Sequence, residues 1–260
     1  MLRPRLIPCL LVKNGGLVKT VRFDEPKYVG DPINAVRIFN EKSVDELIVL
    51  DIDATRLGRE PDYRMIGRLA NECRMPLCYG GGVRTLEQIE RIVGLGVEKI
   101  ALGAAAAENP ELLANACSHV GSQSIVAVVD VKRTGLMRRH EVVTHNATRR
   151  TGYDPVEFAR EMARRGAGEV LLNSVDRDGT MQGYDYELIE RVRNAVPVPM
   201  TVLGGAASLD DVVGLYRRLG LIGAAAGSLF VFKGRLRAVL INYPNAAEKV
   251  QMLNRAGWPA

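Results

Sequence analysis

A regular alternation of short apolar runs with amphipathic stretches constrains the fold of this 260-residue chain more than any other feature. Each run has five to eight residues and is largely apolar along its length, as expected for strands buried on both faces of a parallel sheet. In order, the runs are RLIPCLLV, ELIVLDID, PLCYGG, KIALG, SIVAVVDV, EVLLNSV, PMTVLGG and IGAAAG. Eight such strands with helices between them, in about 250 residues, predict an α/β fold of the (β/α)8 barrel type.

Helix-start signals support this interpretation. Asp31 and Asp154 each stand before a proline, which places an N-cap residue ahead of a proline at the first helical position. Thr85 and Ser208 precede two further amphipathic stretches, and hydroxyl side chains are favoured at that position.

An internal repeat relates the two halves of the chain. LIVLDIDATRLGREPDYRMI matches VLLNSVDRDGTMQGYDYELI, and the same offset aligns the two Gly-Gly pairs at 81–82 and 204–205. Repetition at this period indicates two half-barrels, about 1–120 and 121–260. Since no linker composition separates them, we expect one domain over 1–260.

Composition narrows the class of function. No apolar run approaches the ~20 residues of a membrane span, and the N-terminus lacks a small-residue cleavage site. The four cysteines form no CxxC pair and the three histidines no metal-ligand spacing, so we expect a cytoplasmic protein without metal or organic cofactor. A net charge of +5 with only 5% aromatic residues favours anionic small molecules over nucleic acid.

Candidate functional residues lie where the predicted strands end, the usual address of catalysis in such barrels. Glycines after strands seven and eight, in LGGAAS and AAGSLF, let the backbone approach an anion. YGGGVRT and LGAAAAE are their counterparts in the first half. Tight packing of small residues is the alternative explanation, but two symmetric glycine pairs favour phosphate binding.

Aspartates at the same strand ends indicate acid–base chemistry, because a carboxylate whose pKa is tuned by its surroundings can take or give a proton. For Asp178, capping of a turn is an equal alternative. Asp130 closes an apolar strand and is followed by Lys132 and Arg133, which we expect to hold it ionised. The equivalent position of strand one is Leu11.

The chain resembles the HisF family, the cyclase subunits of imidazole glycerol phosphate synthase. The resemblance covers essentially the whole length and is carried by VKNGGLVK, GDP, DELIVLDI, GGGVRT, ENPELL, GSQ, VVDVKR, RGAGEVLL, SVDRDGT, GYD and GGA. It implies a barrel for a substrate with two phosphates, and a glutaminase subunit that docks at the bottom and sends ammonia through the core.

The resemblance also implies residue roles at the top of the barrel. Asp130 corresponds to one of two catalytic aspartates, while the other falls on Leu11. Lys19 lies on the mobile first loop that helps to close over substrate. The implied substrate- and phosphate-binding residues are Lys19, Asp51, Gly82, Asp178, Gly179, Gly205, Gly227 and Ser228.

Several positions depart from the family pattern. Leucine at position 11 cannot transfer a proton. Gly103 and Ala104 replace an Asn-Thr pair, which removes two side-chain donors from the first-half phosphate site. Asp53 replaces a threonine, adding negative charge near that phosphate, and Asn173 replaces a threonine on strand six. No role is assigned to the histidines at 140 and 145, in the loop after strand five.

At the bottom, the resemblance implies a ring of four charged residues that gates ammonia entry: Arg5, Glu46, Lys99 and Glu169. Glu98 and Gln123 correspond to positions where the glutaminase docks. Charged residues often begin strands, but four matching positions with alternating sign favour a closed ring of ion pairs.

Three functions remain open. The first is a specialised HisF-like paralogue that forms a heterodimer with a HisH-like glutaminase. It would supply ammonia to a phosphorylated or nucleotide-linked acceptor, such as an acetamido sugar of a surface polysaccharide, with or without a further amidotransferase-like protein. The second is the ordinary cyclase subunit of histidine biosynthesis. The third is a non-catalytic scaffold that activates a glutaminase.

Overall fold

Eight parallel strands close into a barrel in the computed structural model, which describes residues 3–234 and 236–258. Each of the eight strands pairs with a neighbour on both sides, and the last strand pairs with the first, so the described sheet has no open edge within the barrel. The predicted (β/α)8 fold is confirmed. The strands are β1 (Arg5–Lys13), β2 (Leu47–Asp51), β3 (Leu77–Gly80), β4 (Lys99–Leu102), β5 (Ile125–Thr134), β6 (Glu169–Ser174), β7 (Met200–Leu203) and β8 (Gly223–Ala226).

A helix follows each strand and packs outside the barrel. The predicted N-caps are confirmed at four helices. Asp31, Thr85, Asp154 and Ser208 each accept a backbone N–H of the first helical turn. The helices are α1 (Pro32–Glu41), α2 (Tyr63–Glu72), α3 (Leu86–Gly94), α4 (Pro110–Val120), α5 (Pro155–Arg164), α6 (Tyr186–Arg193), α7 (Leu209–Leu219) and α8 (Ala246–Arg255).

Two extended loops rise from the carboxyl end of the barrel, which is called the top here. After β1, a hairpin of Gly16–Val21 and Asp24–Gly30 continues the strand. After β5, Arg139–Thr144 pairs back on the long fifth strand, and Arg149–Arg150 pairs on that segment. These loops are equivalent in the two halves, and both reach over the barrel mouth.

The remaining short elements are a helix before α4 (Ala104–Glu108), a 3-10 turn (Ser122–Ser124), a helix after β8 (Ser228–Val231) and a two-stranded ribbon (Phe232–Lys233 with Ala238–Val239). Among the described residues, no helix is both long enough and apolar enough to cross a membrane.

Strand alternation divides the core in two. Side chains at odd positions of β1, such as Ile7, Cys9 and Leu11, point into the barrel, while Leu6 and Leu10 pack under the helices. On β5, Val126 and Val128 point into the barrel, and because alternate residues of a strand face the same side, Asp130 also belongs to the interior. The barrel interior below it is almost wholly apolar.

Candidate functional site

A cavity with an empty volume of about 940 Å³ opens at the top of the barrel. Its walls come from the ends of β1 to β8 and from both extended loops, so residues far apart in sequence converge there. Among the predicted site residues it contains Leu11, Lys19, Asp51, Asp130, Asp178 and Gly227.

Asp130 lies deep in this cavity and accepts a hydrogen bond from Asn173 Nδ2 at 3.0 Å. Burial raises the pKa of Asp130 to about 7; Asn173 opposes the rise and Asp178 adds to it. A carboxyl group with a pKa near neutrality can act as an acid or as a base under ordinary conditions.

The expectation that Lys132 and Arg133 hold Asp130 ionised is wrong. Arg133 turns to the outer face, where its backbone N–H donates to Asp176 and its guanidinium to Asp185. Lys132 lies two residues further up the strand, in a separate cavity that does not include Asp130. Arg133 lies on the opposite face of the strand, and Lys132, on the same face as Asp130, stands about 7 Å further along it, so neither cation pairs with the carboxylate.

Leu11 occupies the position opposite Asp130 that the half-barrel repeat predicts. Its side chain is 9% exposed and packs among apolar interior residues. The cavity therefore has a carboxyl group on β5 and a hydrocarbon wall on β1, and the two halves differ in their chemistry.

Lys19 lies inside the cavity, because the first hairpin folds inward over the mouth. Its Nζ donates to the Cys9 carbonyl at 2.7 Å, and burial lowers the pKa of this amine. On the same hairpin, Thr20 donates to Asp178 Oδ2 at 3.0 Å. Burial also raises the pKa of Asp178, although Lys19 and Thr20 oppose the rise.

A smaller cavity of about 260 Å³ adjoins the main one, between the loops after β6, β7 and β8. Gly179, Gly205, Gly227 and Ser228, the residues that the resemblance implies for a second-half phosphate site, line it together. A Cβ on Gly227 would lie 2.0 Å from Lys19 Nζ. Glycine at this position therefore lets the ammonium sit against the edge of the cavity, where it would meet an anion.

The first-half site differs from the prediction at Gly82. Its N–H donates to Thr55 Oγ1 at 3.1 Å, and the residue is buried beneath the loop at 59–61. Gly82 therefore has no free donor for a phosphate. Gly80, Gly81, Gly103 and Ala104 line the main cavity in its place.

Asp51 lines the cavity, but one carboxylate oxygen already accepts the N–H groups of Asp53 and Ala54, both at 3.0 Å. Burial raises the pKa of Asp51, and these two hydrogen bonds oppose the rise. The structure thus gives Asp51 a turn-forming role in addition to its place in the wall.

Asp53 does not lie in the phosphate-binding region proposed from the sequence. Its side chain points into a second cavity, where Arg56 Nη2 is 3.2 Å and Lys13 Nζ is 3.9 Å from its carboxylate. Two cations thus neutralise the charge, so Asp53 adds no net repulsion to the main cavity.

His145 and Asn146, which the sequence did not assign, line the main cavity from the second extended loop. His145 Nδ1 is 3.1 Å from Thr144 Oγ1, and burial and then Arg149 lower the pKa of its imidazole. Asn146 Nδ2 donates to the Ile52 carbonyl at 2.7 Å and so ties the loop to the end of β2. Only the paired loop after β5, itself a tertiary feature, brings these residues over the mouth.

At the bottom of the barrel, four side chains form a closed ring of ion pairs, as the sequence predicts. Arg5 contacts Glu46 and lies 2.6 Å from Glu169, and Lys99 lies 2.9 Å from each glutamate. Burial would raise the pKa of Glu169, but Arg5 and Lys99 outweigh it and lower that pKa. Two cations alternate with two anions, and the ring is neutral.

Thr201, on β7, is a further member of this ring that sequence reasoning missed. Its hydroxyl donates to Glu169 Oε1 at 2.5 Å and accepts from Arg5 Nη2 at 3.3 Å. A Cβ at position 223 would lie 2.0 Å from Thr201 Oγ1. The glycine on β8 therefore leaves the space that the hydroxyl occupies, a pairing visible only once the strands are adjacent.

Glu98 and Gln123 lie on the exposed bottom rim of the barrel. Glu98 Oε2 accepts the Leu77 N–H at 2.7 Å and so secures the start of β3. Gln123 lies over Gly121, whose Cβ position would be 2.3 Å from Gln123 Nε2. Both side chains are accessible to a docking protein. In the part of the chain that the structure describes, no group of three or more His, Cys, Asp or Glu residues is arranged to hold a metal ion.

Comparison with known proteins supports the resemblance to HisF. The profile of the histidine biosynthesis protein family matches residues 5–237. The chain belongs to this family and, within it, is HisF-like.

The relatives are provisionally named imidazole glycerol phosphate synthase subunits. The chain is 57% identical to subunit HisF of Leptospira interrogans over 249 residues, which is 96% of this chain and 98% of the relative. It is 54% identical to subunit hisF3 of Vibrio vulnificus over 253 residues, 97% of each chain. It is 52% identical to subunit hisF2 of Pseudomonas aeruginosa over 245 residues, 94% of this chain and 97% of the relative.

Proposed function

We propose that this HisF-like chain receives ammonia from a HisH-like glutaminase at the bottom of the barrel and supplies it to an anionic acceptor at the top. The observation that carries the proposal is a single axis through the molecule. A complete ion-pair ring lies at one end, an apolar interior follows, and the cavity of Asp130 lies at the other end.

The apolar barrel interior is suited to the passage of a neutral molecule. Between the ring with Thr201 and the pair of Asn173 with Asp130, the apolar interior cluster is aliphatic apart from two thiols. Burial raises the pKa of Cys9 to about 12 and that of Cys78 well above its ordinary value, so both stay uncharged. An ammonium ion would lose its hydration there without gaining a counter-charge, whereas ammonia would not. The ring would act as the selective entrance.

The top cavity supports an acceptor with a phosphoryl or nucleotide-linked end. The cradle of Gly179, Gly205 and Gly227 has space and backbone N–H groups for one phosphate, and Lys19 lies at its edge. Asp130 can transfer one proton. Leu11 supplies no second acid–base group, so the proposed reaction needs only one carboxyl group from the barrel.

Amidination of an acetamido sugar meets these requirements. The acetamido oxygen is first activated by transfer of a phosphoryl or nucleotidyl group from a nucleoside triphosphate. Ammonia then adds to the acetamido carbon, the activated oxygen leaves as phosphate or nucleotide, and the amidine forms without oxidation or reduction. In this proposal the complex acts in surface-polysaccharide synthesis, and an amidotransferase-like protein activates the acetamido oxygen.

A second candidate is the cyclase reaction of histidine biosynthesis. It is favoured by the names of relatives that share 52–57% identity over nearly the whole chain, and by retention of Asp130 and Lys19. Against it stands Leu11, since loss of a catalytic carboxylate commonly costs orders of magnitude in rate.

Turnover of the phosphoribulosyl substrate with saturating ammonium salt, at alkaline pH and without a glutaminase, separates the two. Free ammonia bypasses the partner, so the assay depends on the top cavity alone. We expect no turnover. Turnover close to that of a HisF with aspartate at the first site would refute the proposed function and establish the cyclase.

A second experiment tests the ammonia route. With a HisH-like glutaminase bound, Lys99→Ala should leave glutamine hydrolysis running while less ammonia reaches the top, because the ring is opened. The matched control is Lys42→Ala, at the end of α1 and outside the ring. Equal coupling in wild type and Lys99→Ala would overturn the channel. A folded chain that activates the glutaminase but passes no ammonia would point to the scaffold function.

A further inference from the structure

A second polar cavity, the upper chamber, lies above the reaction cavity. Its charged walls are Lys13, Arg22, Asp24, Asp53, Arg56 and Lys132. Lys13 and Lys132 stand two residues beyond Leu11 and Asp130 on β1 and β5, which is about 7 Å further along each strand. The chamber has an empty volume of about 790 Å³.

The upper chamber communicates with the reaction cavity. Thr20, Phe23, Ile52 and Asn146 line both. A ligand whose reactive centre lies at Asp130 therefore has one end near the small glycine cavity and can extend the other into the chamber.

The charges of the chamber do not balance. Four cations face two carboxylates. The buried carboxylate, Asp53 at 2% exposure, is already neutralised by Arg56 and Lys13. Within the described residues, neither Lys132 nor Arg22 has a carboxylate within 4.0 Å. The walls thus carry an excess of two positive charges around a space that can admit an anion.

The walls are also held in place before any ligand arrives. Arg22 and Phe23 on the first hairpin, and Asn146 and Ala147 on the second loop, have left-handed backbone with φ between 55° and 66°. Such conformations cost energy for residues other than glycine and persist where the surroundings enforce them. Here the Arg22 N–H donates to the Asp178 carbonyl at 2.9 Å, and Asn146 is bound to β2.

We propose that the upper chamber binds a phosphoryl group of the acceptor, in addition to the one held by the small glycine cavity. Guanidinium and ammonium groups bind phosphoryl oxygens through charge-assisted hydrogen bonds. The first-half glycine site has Gly103 and Ala104 without side-chain donors, and Gly82 with its N–H already bonded. The cations of the upper chamber bind this phosphoryl group in place of the first-half glycine site. This inference rests on the proposed function and narrows its acceptor to a molecule with two phosphoryl groups, so that an acetamido sugar qualifies only when it carries a second one.

Calorimetric titration of the isolated chain with inorganic phosphate, in a buffer free of other polyvalent anions, tests the proposal. The wild type should bind two equivalents. Lys132→Met removes one cation and keeps the length of the side chain. It should weaken one site about ten- to a hundredfold, the range for a lost charge-assisted hydrogen bond, and leave the other unchanged.

Lys13→Met is the second variant, and Lys42→Met is the control with the same change in net charge far from the chamber. Thermal melting of each variant checks that it folds. One equivalent in the wild type, or two unweakened sites in both chamber variants, would overturn the proposal. Equal weakening by Lys42→Met would overturn it too, since the effect would then come from net charge. The titration needs no glutaminase, so its failure leaves the ammonia route standing.

Discussion

Removing the Lys99 ammonium should unbalance the ring at the bottom of the barrel. Lys99→Met keeps most of the apolar stem and deletes the charge that lies 2.9 Å from both glutamates. The ring then holds Arg5, Glu46 and Glu169 and has a net charge of −1. Losing one partner of a buried ion pair costs about 3–5 kcal/mol of unfolding free energy.

Partial exposure lowers that figure only slightly. The Lys99 side chain is 18% exposed, and the glutamates are 5% and 7% exposed. Water reaches the lysine head but hardly the carboxylates, so we expect a loss of about 2–4 kcal/mol near pH 8. A loss of this size lowers the folding equilibrium constant by more than tenfold.

The loss should depend on pH in a defined direction. In the wild type, the pKa of Glu169 is lowered, since Arg5 and Lys99 outweigh its burial. That stability is present above the unfolded pKa of about 4.3 and disappears as pH falls through the folded value. In the variant, we expect the uncompensated ring to bind a proton more readily than the unfolded chain, so its penalty is full at high pH and relieved as pH falls.

Both effects make the difference between wild type and variant largest near pH 8 and smallest near pH 4. Urea titration at pH 8, 6 and 4 measures it, because guanidinium chloride would itself screen the ion pairs. Lys42→Met is the control, with the same side-chain change and no ion pair among the described residues. A difference that is constant across these pH values would refute the reasoning, as would one below about 1 kcal/mol at pH 8.

Four further predictions concern substitutions inside the barrel. Thr201→Val should cost about 1.5–3 kcal/mol of unfolding free energy, since it removes a hydrogen bond to a charged group. Thr201→Ser keeps the hydroxyl and should avoid most of this loss. Gly223→Ala should destabilise by about 1–3 kcal/mol through the clash with the threonine hydroxyl, and adding Thr201→Ala should relieve that clash; additive losses in urea titrations would contradict it. Asn173→Leu should raise the pKa of Asp130 above its value of about 7, because the Asn173 amide stabilises the ionised carboxylate and the variant lacks it. An NMR titration of the carboxyl group in which the pKa is unchanged or lower would contradict this. Leu11→Asp should lower the unfolding free energy more at pH 8 than at pH 5, since burial raises the pKa of the new carboxyl, and a loss equal at both values would show that it is solvated.

Much of the site could be predicted because it depends on local residue spacing and on the internal repeat. Strand ends, glycine turns and the half-barrel offset placed Asp130 and Gly227 at one end of the barrel, the family resemblance added Lys19, and all three line the top cavity. The bottom ring was predicted from the family resemblance, and its four residues lie at or just before the starts of β1, β2, β4 and β6. A parallel barrel brings equivalent strand positions to the same level, so residues at those positions lie close together although they are distant in sequence.

The errors have one physical cause. Asp130 was expected to be ionised by Lys132 and Arg133, but Arg133 lies on the opposite face of the strand and Lys132 lies further along it. The hydrogen-bond partner of Asp130 is Asn173 on the next strand. Gly82 was expected to offer an N–H, but a loop from the preceding strand already accepts it. Asp53 was expected to add negative charge near the first-half phosphate, but Lys13 and Arg56 neutralise its carboxylate. In each case a contact formed on folding uses the group.

The sequence alone determined the alternation of eight strands and helices, their caps, the two-fold repeat and the leucine that breaks its symmetry at position 11. These are properties of spacing and residue type, which act over a few residues. Only the tertiary structure decided the pKa of Asp130, the pairing of Thr201 with Gly223 and the cationic chamber above the mouth. Those features depend on burial and on contacts between strands and loops that are distant in sequence, and burial exists only after the barrel has closed.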